Sequence, residues 1–375
     1  MKRVGVIGGG QLAWMMADAA KKLGIELVIQ TPFQNDPAVA IATQTIFAAI
    51  DDADSTAHLA AICDVITFEN EFVNLESLSK LEKQGVCFRP SLKTLKPLLD
   101  KYDQRCYLRD RQLPIPNFFA SEAVSSLKMT DPIVLKTRRH GYDGQGTFIL
   151  KTAEELEAIL KTLNGQPLLV EEFIPFEREL AVMAARSLTG EIVVYPVVET
   201  QQENQVCRRV IVPADLPTAT LLEVETIART LLESLQVVGI FGIELFLTRE
   251  GKVLINEIAP RTHNSGHYTI DACVTSQFEQ QLRAVCGLPL GSPALTCDGA
   301  VMINLLGYEH SESDYLDKRQ QLSEIPGAIV HWYGKTESRS GRKLGHVTVL
   351  LKSASDLLQR AIEISHRVES IWYRT

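Results

Sequence analysis

Residues 1–90 alternate short apolar runs with segments whose apolar positions recur at helical spacing. "RVGVIG" is followed by "QLAWMMADAAKKLG" and "IELVIQ", and further on by "DVITFE" and "GVCFRP". That rhythm predicts βαβ units on a parallel sheet. The basic stretch "SLKTLKPLLDKYDQRCYLRDRQ" reads as helical and stops at "LPIPNF", where Pro114 and Pro116 mark a hinge or boundary. Beyond it the pattern turns to strands joined by tight turns: "PIVLKT", "GTFIL", "PLLVEEFI", "RELAVMAAR" and "EIVVYPVV", with helices at 152–163 and 218–236. Thr152 and Glu155 supply a capping box for the first of these helices. After "GLPLGSPALTCDG" a shorter region holds two strand candidates, "GAIVHWYG" and "LGHVTVLL". The expected class is mixed α/β and α+β.

At 375 residues the chain exceeds one ordinary domain, so two or three are expected. Hydrophobic residues at 45% and charged ones at 22% match a soluble globular protein and exclude the disordered and fibrous classes. A net charge of −8 argues against a nucleic-acid or anionic-membrane surface, so an anionic ligand must be met by local cations. Seven cysteines without a CxxC pair suggest neither a disulfide framework nor a zinc ribbon, and a reducing cytosol is the expected compartment. Gly8, Gly9 and Gly10 cut the N-terminal apolar segment short of a signal-peptide core. No apolar run reaches the roughly 18 residues that a membrane span needs.

Candidate chemistry centres on "GIELFLTREGKVLINEI" and the polar run "NEIAPRTHNSGH". With a two-residue turn at Glu250 and Gly251, residues whose numbers sum to 501 oppose one another. Glu244 then faces Glu257, Phe246 faces Ile255, and Leu247 faces Leu254. Like charges about 5 Å apart repel by roughly 3 kcal/mol at an effective dielectric of 20. A divalent cation such as Mg²⁺ compensates this and also bridges phosphates in phosphoryl-transfer enzymes. Asn256, Arg261 and His263 immediately downstream favour a metal and phosphate site over a register that sends one acid to solvent. His263 and His267 have i, i+4 spacing, but Asn264 and Gly266 disfavour the helix that a zinc pair would need.

Two further loops are suited to phosphate. "PIVLKTRRHGYDGQGTFIL" places Lys136 at a strand end before the glycine-rich loop Gly141–Gly146. "GKTESRSGRKLGH" gathers Lys335, Arg339, Arg342, Lys343 and His346 on a hairpin loop, either a solvated basic turn or a phosphate-monoester site. "VIGGGQLA" matches the dinucleotide fingerprint formally, which makes a nicotinamide oxidoreductase the rival reading. Against it, "IELVIQ" ends in Gln30 and Thr31, with no acid to hold a ribose.

In order along the chain, "GGGQL", "FEN", "VLKTRRHGYDGQG", "VEEFIPFERELAV", "FGIELFL", "LINEIAPRTHNSGH", "INLLG" and "GRKLGH" resemble the N5-carboxyaminoimidazole ribonucleotide synthetases, ATP-grasp enzymes of purine biosynthesis. The resemblance implies a Rossmann-like domain at 1–98, an ATP-grasp domain at 99–295 with a lid at about 115–175, and a small β-rich C-terminal domain at 296–375. It implies a cytoplasmic homodimer that uses ATP and Mg²⁺ to join bicarbonate to 5-aminoimidazole ribonucleotide through carboxyphosphate. Another ATP-grasp ligase, such as the formate-dependent glycinamide ribonucleotide transformylase, is the near alternative.

By that resemblance, Lys101 and Lys136 match nucleotide-phosphate cations. Gly141, Tyr142, Asp143, Gly144, Gln145, Gly146 and Thr147 match the phosphate loop. Glu171, Glu172, Phe173, Ile174 and Glu179 match the adenine and ribose pocket, with Gln202 standing where relatives often carry His. Glu244 and Glu257 match the Mg²⁺ ligands, and Glu257 also a nucleotide contact. Asn256, Arg261, Asp143 and His263 are assigned to catalysis. Gln11, Glu71, Tyr142, Asp143, His267, Lys335 and Arg342 are assigned to the ribonucleotide, the last two as phosphate clamps.

Overall fold

The computed structural model describes residues 1–120, 131–139, 146–203, 205–352 and 356–373. Among them, three sheets form. The first is parallel, in the order Gln44–Phe47, Ile25–Thr31, Lys2–Ile7, Val65–Phe68. "GVCFRP" contributes only a bridge from Phe88 to Ile66, whereas the short edge strand Gln44–Phe47 escaped the periodicity. Its two central strands are apolar on both faces, because helices cover both sides.

The basic stretch at 91–112 forms two helices rather than one, Leu92–Leu95 and Lys101–Asp110. Pro97 interrupts the first, and Asp100 caps the second by accepting from the N–H groups of Tyr102 and Asp103. The capping box predicted at Thr152 and Glu155 opens the helix Ala153–Leu163. A four-stranded antiparallel sheet in the order Phe118–Ala120, Leu168–Glu172, Ile133–Thr137, Thr147–Leu150 carries that helix and stands apart from the main sheet.

The main sheet has nine strands among the described residues. It runs from Val253–Ala259 through Gly239–Thr248, Phe176–Arg186, Val198–Glu203 and Val206–Val212 into Gly299–Leu306, Lys343–Leu351 and Ala328–Trp332. Ile192–Val194 pairs with Phe176–Arg186. "EIVVYPVV" is therefore two strands, broken before Pro196. The C-terminal strands extend this sheet through the pairing of Val206–Val212 with Gly299–Leu306, and the helix Leu357–Trp372 packs on them. One face of the sheet is covered by the helix Thr218–Leu235 through Val224, Ile227, Ala228 and Leu231. The helix Gln277–Cys286 joins the main sheet to the N-terminal one, burying Phe278, Leu282 and Val285 against Val4, Val6 and Ile29. That shared core fixes the N-terminal sheet over the end of the main sheet, and a cavity of about 1600 Å³ lies where they meet the smaller sheet.

Candidate active site

The two acids meet as the numbering predicted, Glu244 opposite Glu257. Nearer the turn the register is shifted by one: Phe246 pairs with Leu254 and Leu247 with Val253, not with Ile255 and Leu254. The turn is a three-residue one, Arg249 to Gly251, closed by the Thr248 N–H on the Lys252 carbonyl at 2.9 Å, with Gly251 at φ 80°. A bulge between Glu244 and Leu245 restores the register by accommodating Asn256 as an extra residue. In consequence the consecutive side chains of Asn256 and Glu257 both face the cavity, where a regular strand would alternate them.

Both carboxylates open onto the cavity, Glu244 with 28% and Glu257 with 42% of its side chain exposed. Burial together with the neighbouring Glu257 carboxylate pushes Glu244 up to about 7. Burial acts on Glu257 too, but Lys101, whose Nζ lies 2.5 Å from its Oε1, holds it below the usual carboxylate range. Glu179 faces Phe246 across the next strand pair and is pushed up to about 7 by burial.

Lys136 reaches the same wall from the strand Ile133–Thr137. Its Nζ lies 2.7 Å from Glu171 and donates to the Asn256 Oδ1 at 3.0 Å. Arg105 pairs with the other Glu171 oxygen and donates to the Asn256 carbonyl at 2.6 Å. The Arg105 and Glu171 side chains are only 2% and 3% exposed. Burial would raise the Glu171 carboxyl, but Lys136 and Arg105 outweigh it and hold it at about 2. The Glu171 carboxylate is therefore committed to the two cations, while the residue itself lines the cavity with Glu172, Phe173 and Ile174. Arg105 was missed, although its i, i+4 spacing from Lys101 puts both cations on one helix face.

Beyond the hairpin, the segment at 261–267 is held by one side chain. The Gln277 amide accepts from the His263 N–H at 2.8 Å, donates to the His263 carbonyl at 2.8 Å, and lies 3.0 Å from the His267 Nδ1. His263 Nε2 lies 3.6 Å from the Glu244 carboxylate. Asn264–Gly266 form one 3₁₀ turn, and buried His267 is held neutral, its pKa depressed first by burial and then by the Lys343 charge. Arg261 reaches across to Glu71 at 3.0 Å.

The N-terminal glycine turn is occupied by the chain itself. The Glu69 carboxylate accepts from the Leu12 N–H at 3.3 Å, and a Cβ on Gly10 would sit 2.4 Å from its Oε1. Gln30, standing where a ribose-binding acid would be, donates to the Ala49 carbonyl at 2.7 Å and accepts from Thr56. A pyrophosphate has no room in this turn, so the oxidoreductase reading loses its one motif.

The cavity wall brings together most of the expected residues. Gln11, Glu71, Arg261, His263 and His267 line one side; Lys101, Glu244, Asn256 and Glu257 form its floor. Lys136, Thr147, Glu171, Glu172, Phe173 and Ile174 line it from the smaller sheet, and Glu179 and Gln202 from the strands beside it. Gly141, Tyr142, Asp143, Gly144 and Gln145 lie outside the described residues. Gly146 is described but does not line the cavity; it packs on Thr137. Lys335 and Arg342 are also outside the lining. Lys335 lies 5.7 Å over the Tyr333 ring, and Arg342 donates to the Glu337 carbonyl at 2.8 Å. Of that basic loop it is Lys343, the first residue of the strand Lys343–Leu351, that lines the cavity, because only there has the chain re-entered the sheet.

Asp271, His331 and His346 place potential ligand atoms within 4.8 Å of one another. The His331 and His346 rings are stacked, with planes only 16° apart, so their in-plane lone pairs do not converge on one ion. Instead His331 pairs with Asp271 at 2.9 Å and the His346 Nδ1 with the Tyr333 hydroxyl at 2.8 Å. Burial pushes the Cys273 thiol up to about 12 and raises Cys286 as well, so both are small core side chains.

Residues 1–97 match the ribonucleotide synthetase preATP-grasp domain, 107–278 the ATP-grasp domain and 300–360 the phosphoribosylaminoimidazole carboxylase C-terminal domain. The N5-carboxyaminoimidazole ribonucleotide synthase of Synechococcus elongatus is 56% identical over 99% of this chain and 96% of its own. The chain belongs to the N5-carboxyaminoimidazole ribonucleotide synthase family. Among solved members of the family, the ADP complex of one such synthetase superposes with a TM-score of 0.90 at 35% identity, covering 99% of this chain and 97% of that one. The Aspergillus clavatus synthase in complex with ADP and 5-aminoimidazole ribonucleotide superposes with a TM-score of 0.88 at 29% identity, covering 98% and 99%.

Proposed function

We propose that this cavity carries out the family reaction with bicarbonate as the carbon source and Mg²⁺ bound by Glu244 and Glu257. As a member of the synthase family, the chain is an ATP-grasp ligase of purine biosynthesis that converts 5-aminoimidazole ribonucleotide to N5-carboxyaminoimidazole ribonucleotide. The observation that carries the residue-level reading is the Glu244 and Glu257 pair, facing the same cavity as Lys101, Lys136 and Arg261.

Magnesium fits the donor set. Two opposed carboxylates offer hard oxygen ligands, and a cation between them would relieve the repulsion by Glu257 that adds to burial in raising Glu244. Once bound, the ion neutralises phosphate oxygens in the transferring group. Lys101 and Lys136 flank the same floor and hold the nucleotide's phosphates. Glu171 and Arg105 keep the Lys136 ammonium aimed, and Asn256 shares it. Arg261 and His263, beside Glu244, hold bicarbonate where it attacks the γ-phosphate to give carboxyphosphate. Gln11, Glu71 and His267 face the ribonucleotide, and Lys343, on the same wall, is the C-terminal cation placed to meet its phosphate in place of Lys335 and Arg342. The homodimer and the cytoplasmic location come from the family likeness; no described helix is long and apolar enough to cross a membrane.

The test is an incubation of purified protein with ATP and Mg²⁺, following ADP release and loss of the amine. The expected result is ADP release that requires both 5-aminoimidazole ribonucleotide and bicarbonate. Release only with glycinamide ribonucleotide and formate would overturn the assignment.

A further inference from the structure

The ion pair between Arg261 and Glu71 joins two parts of the protein that the reaction must keep in step. Glu71 follows the strand Val65–Phe68 of the N-terminal sheet, in a turn held by the Phe72 N–H on the Asn70 Oδ1 at 3.0 Å. Arg261 follows the strand Val253–Ala259, which carries Asn256 and Glu257. Its Nη2 lies 3.0 Å from the Glu71 carboxylate, and its Nη1 donates to the Thr262 carbonyl at 3.0 Å. Both side chains line the cavity and stay open to it, Arg261 with 19% and Glu71 with 22% exposed. The charges of Glu71, then Glu69, then Glu257 all act on the buried base of Arg261. The guanidinium therefore stands between the acids of the ribonucleotide side and the acids of the phosphate side.

The two groups have opposite needs. A carboxylate only accepts hydrogen bonds and a guanidinium only donates them. The ribonucleotide brings an amine and ribose hydroxyls, donors that suit Glu71. Bicarbonate and the γ-phosphate bring anionic oxygens, which suit Arg261. As long as Arg261 and Glu71 hold each other, either substrate has to loosen the pair in order to bind. Once the ribonucleotide has engaged Glu71, the oxyanion meets an arginine already released. We propose that the Glu71–Arg261 pair couples ATP consumption to occupancy of the ribonucleotide site: the ribonucleotide draws Glu71 away and frees Arg261 for bicarbonate and the transferring phosphate. This rests on the carboxylation reading above.

Glu71 reaches the phosphoryl step only through Arg261, so for that step it is a positioning residue, and it exchanges no proton. Linkage makes the effect reciprocal. An oxyanion on Arg261 tightens the ribonucleotide by the factor with which the ribonucleotide tightens the oxyanion, about 5–150-fold for couplings between sites. The consequence is economy of ATP: without ribonucleotide, bicarbonate and the γ-phosphate meet an arginine tied to Glu71, and carboxyphosphate is not made with no amine to receive its CO₂.

Two measurements on the full-length protein test this. The first is ADP release with ATP, Mg²⁺ and bicarbonate, with and without ribonucleotide, in the wild type and in Glu71→Gln, which keeps the shape but not the charge. The expected result is that release without ribonucleotide rises about 5–150-fold in Glu71→Gln, so that stimulation by the ribonucleotide shrinks. A Glu71 that only packs the wall, or only aims Arg261 productively, gives no such rise. A ribonucleotide-free rate that is unchanged or lowered in Glu71→Gln overturns the proposal. The second is the Kd of the ribonucleotide for the wild type in Mg²⁺ and ADP, with and without inorganic phosphate as the oxyanion. Phosphate should tighten it about fivefold or more. An unchanged Kd overturns the proposal, and this measurement decides alone if Glu71→Gln misfolds by circular dichroism. Failure of the carboxylation reading is seen separately, as wild-type protein whose ADP release with ribonucleotide present does not respond to bicarbonate.

Discussion

Glu171→Gln removes a single charge from the centre of the nucleotide wall. The variant leaves Arg105 and Lys136, with side chains 2% and 9% exposed, facing each other without the anion that holds them. Breaking a buried ion pair by deleting one partner costs about 3–5 kcal/mol. At about 2–4 °C per kcal/mol for a domain of this size, the melting temperature should fall by roughly 6–20 °C. Calorimetry with and without ADP provides the assay, because Lys136 loses its anchor and the stabilisation by nucleotide should shrink along with the melting point. The pH dependence has a definite sign. Glu171 is held at about 2 in the folded protein, below its unfolded value, so its contribution is fully present above about 4.3 and is lost as pH falls from there towards 2. Glu171→Gln should therefore flatten the acid limb of the stability curve. The cycle with Lys136→Met should show coupling of about 0.5–3 kcal/mol, since the double variant leaves only Arg105 unpaired. A melting-point change within about 2 °C, or strictly additive effects, would refute the reasoning that the carboxylate positions Lys136.

Three other outcomes follow from the same geometry. Glu244→Gln and Glu257→Gln should each lower kcat at least a hundredfold with KM for the ribonucleotide little changed, measured by ADP release over a Mg²⁺ series; full activity in either removes the metal assignment. Because Glu244 is raised to about 7, metal and nucleotide binding at pH 6 should release a proton, read as a buffer-dependent calorimetric heat that disappears in Glu244→Gln. In the unliganded protein the same shift means that stability falls as pH rises from about 4.3 through 7. Gln277→Leu orphans the His263 N–H, at about 1–3 kcal/mol, while the His263 carbonyl keeps the Gly266 N–H, so it should lower both the melting temperature and kcat; an unchanged kcat would show that His263 needs no such clamp.

The opposed acids were legible because strand periodicity and chain numbering are local properties of one hairpin. Even there, two deviations cancelled: a turn one residue longer and a one-residue bulge at Asn256 left Glu244 facing Glu257. The bulge itself was not legible, since whether Asn256 is accommodated as an extra residue depends on the pairing of Gly239–Thr248 with both its neighbours.

The amino-acid sequence by itself determined the element pattern, the absence of an acid at the second strand's end, and the motif spacing that marks the family. Tertiary structure decided which charges meet. Arg105 and Glu171 are 66 residues apart, Lys101 and Glu257 156 apart, and only the folded sheets bring each pair within bonding distance. It also decided which part of the C-terminal basic loop lines the cavity, Lys343 rather than Lys335 or Arg342, because that strand joins the main sheet through residues nearly 140 positions upstream in chain order, beginning at Val206. Likewise the glycine turn, which reads as a phosphate cradle from its own residues, is filled by Glu69 from a different strand. Periodicity reports how a segment buries itself; which partner it is buried against is a matter of the whole chain's packing.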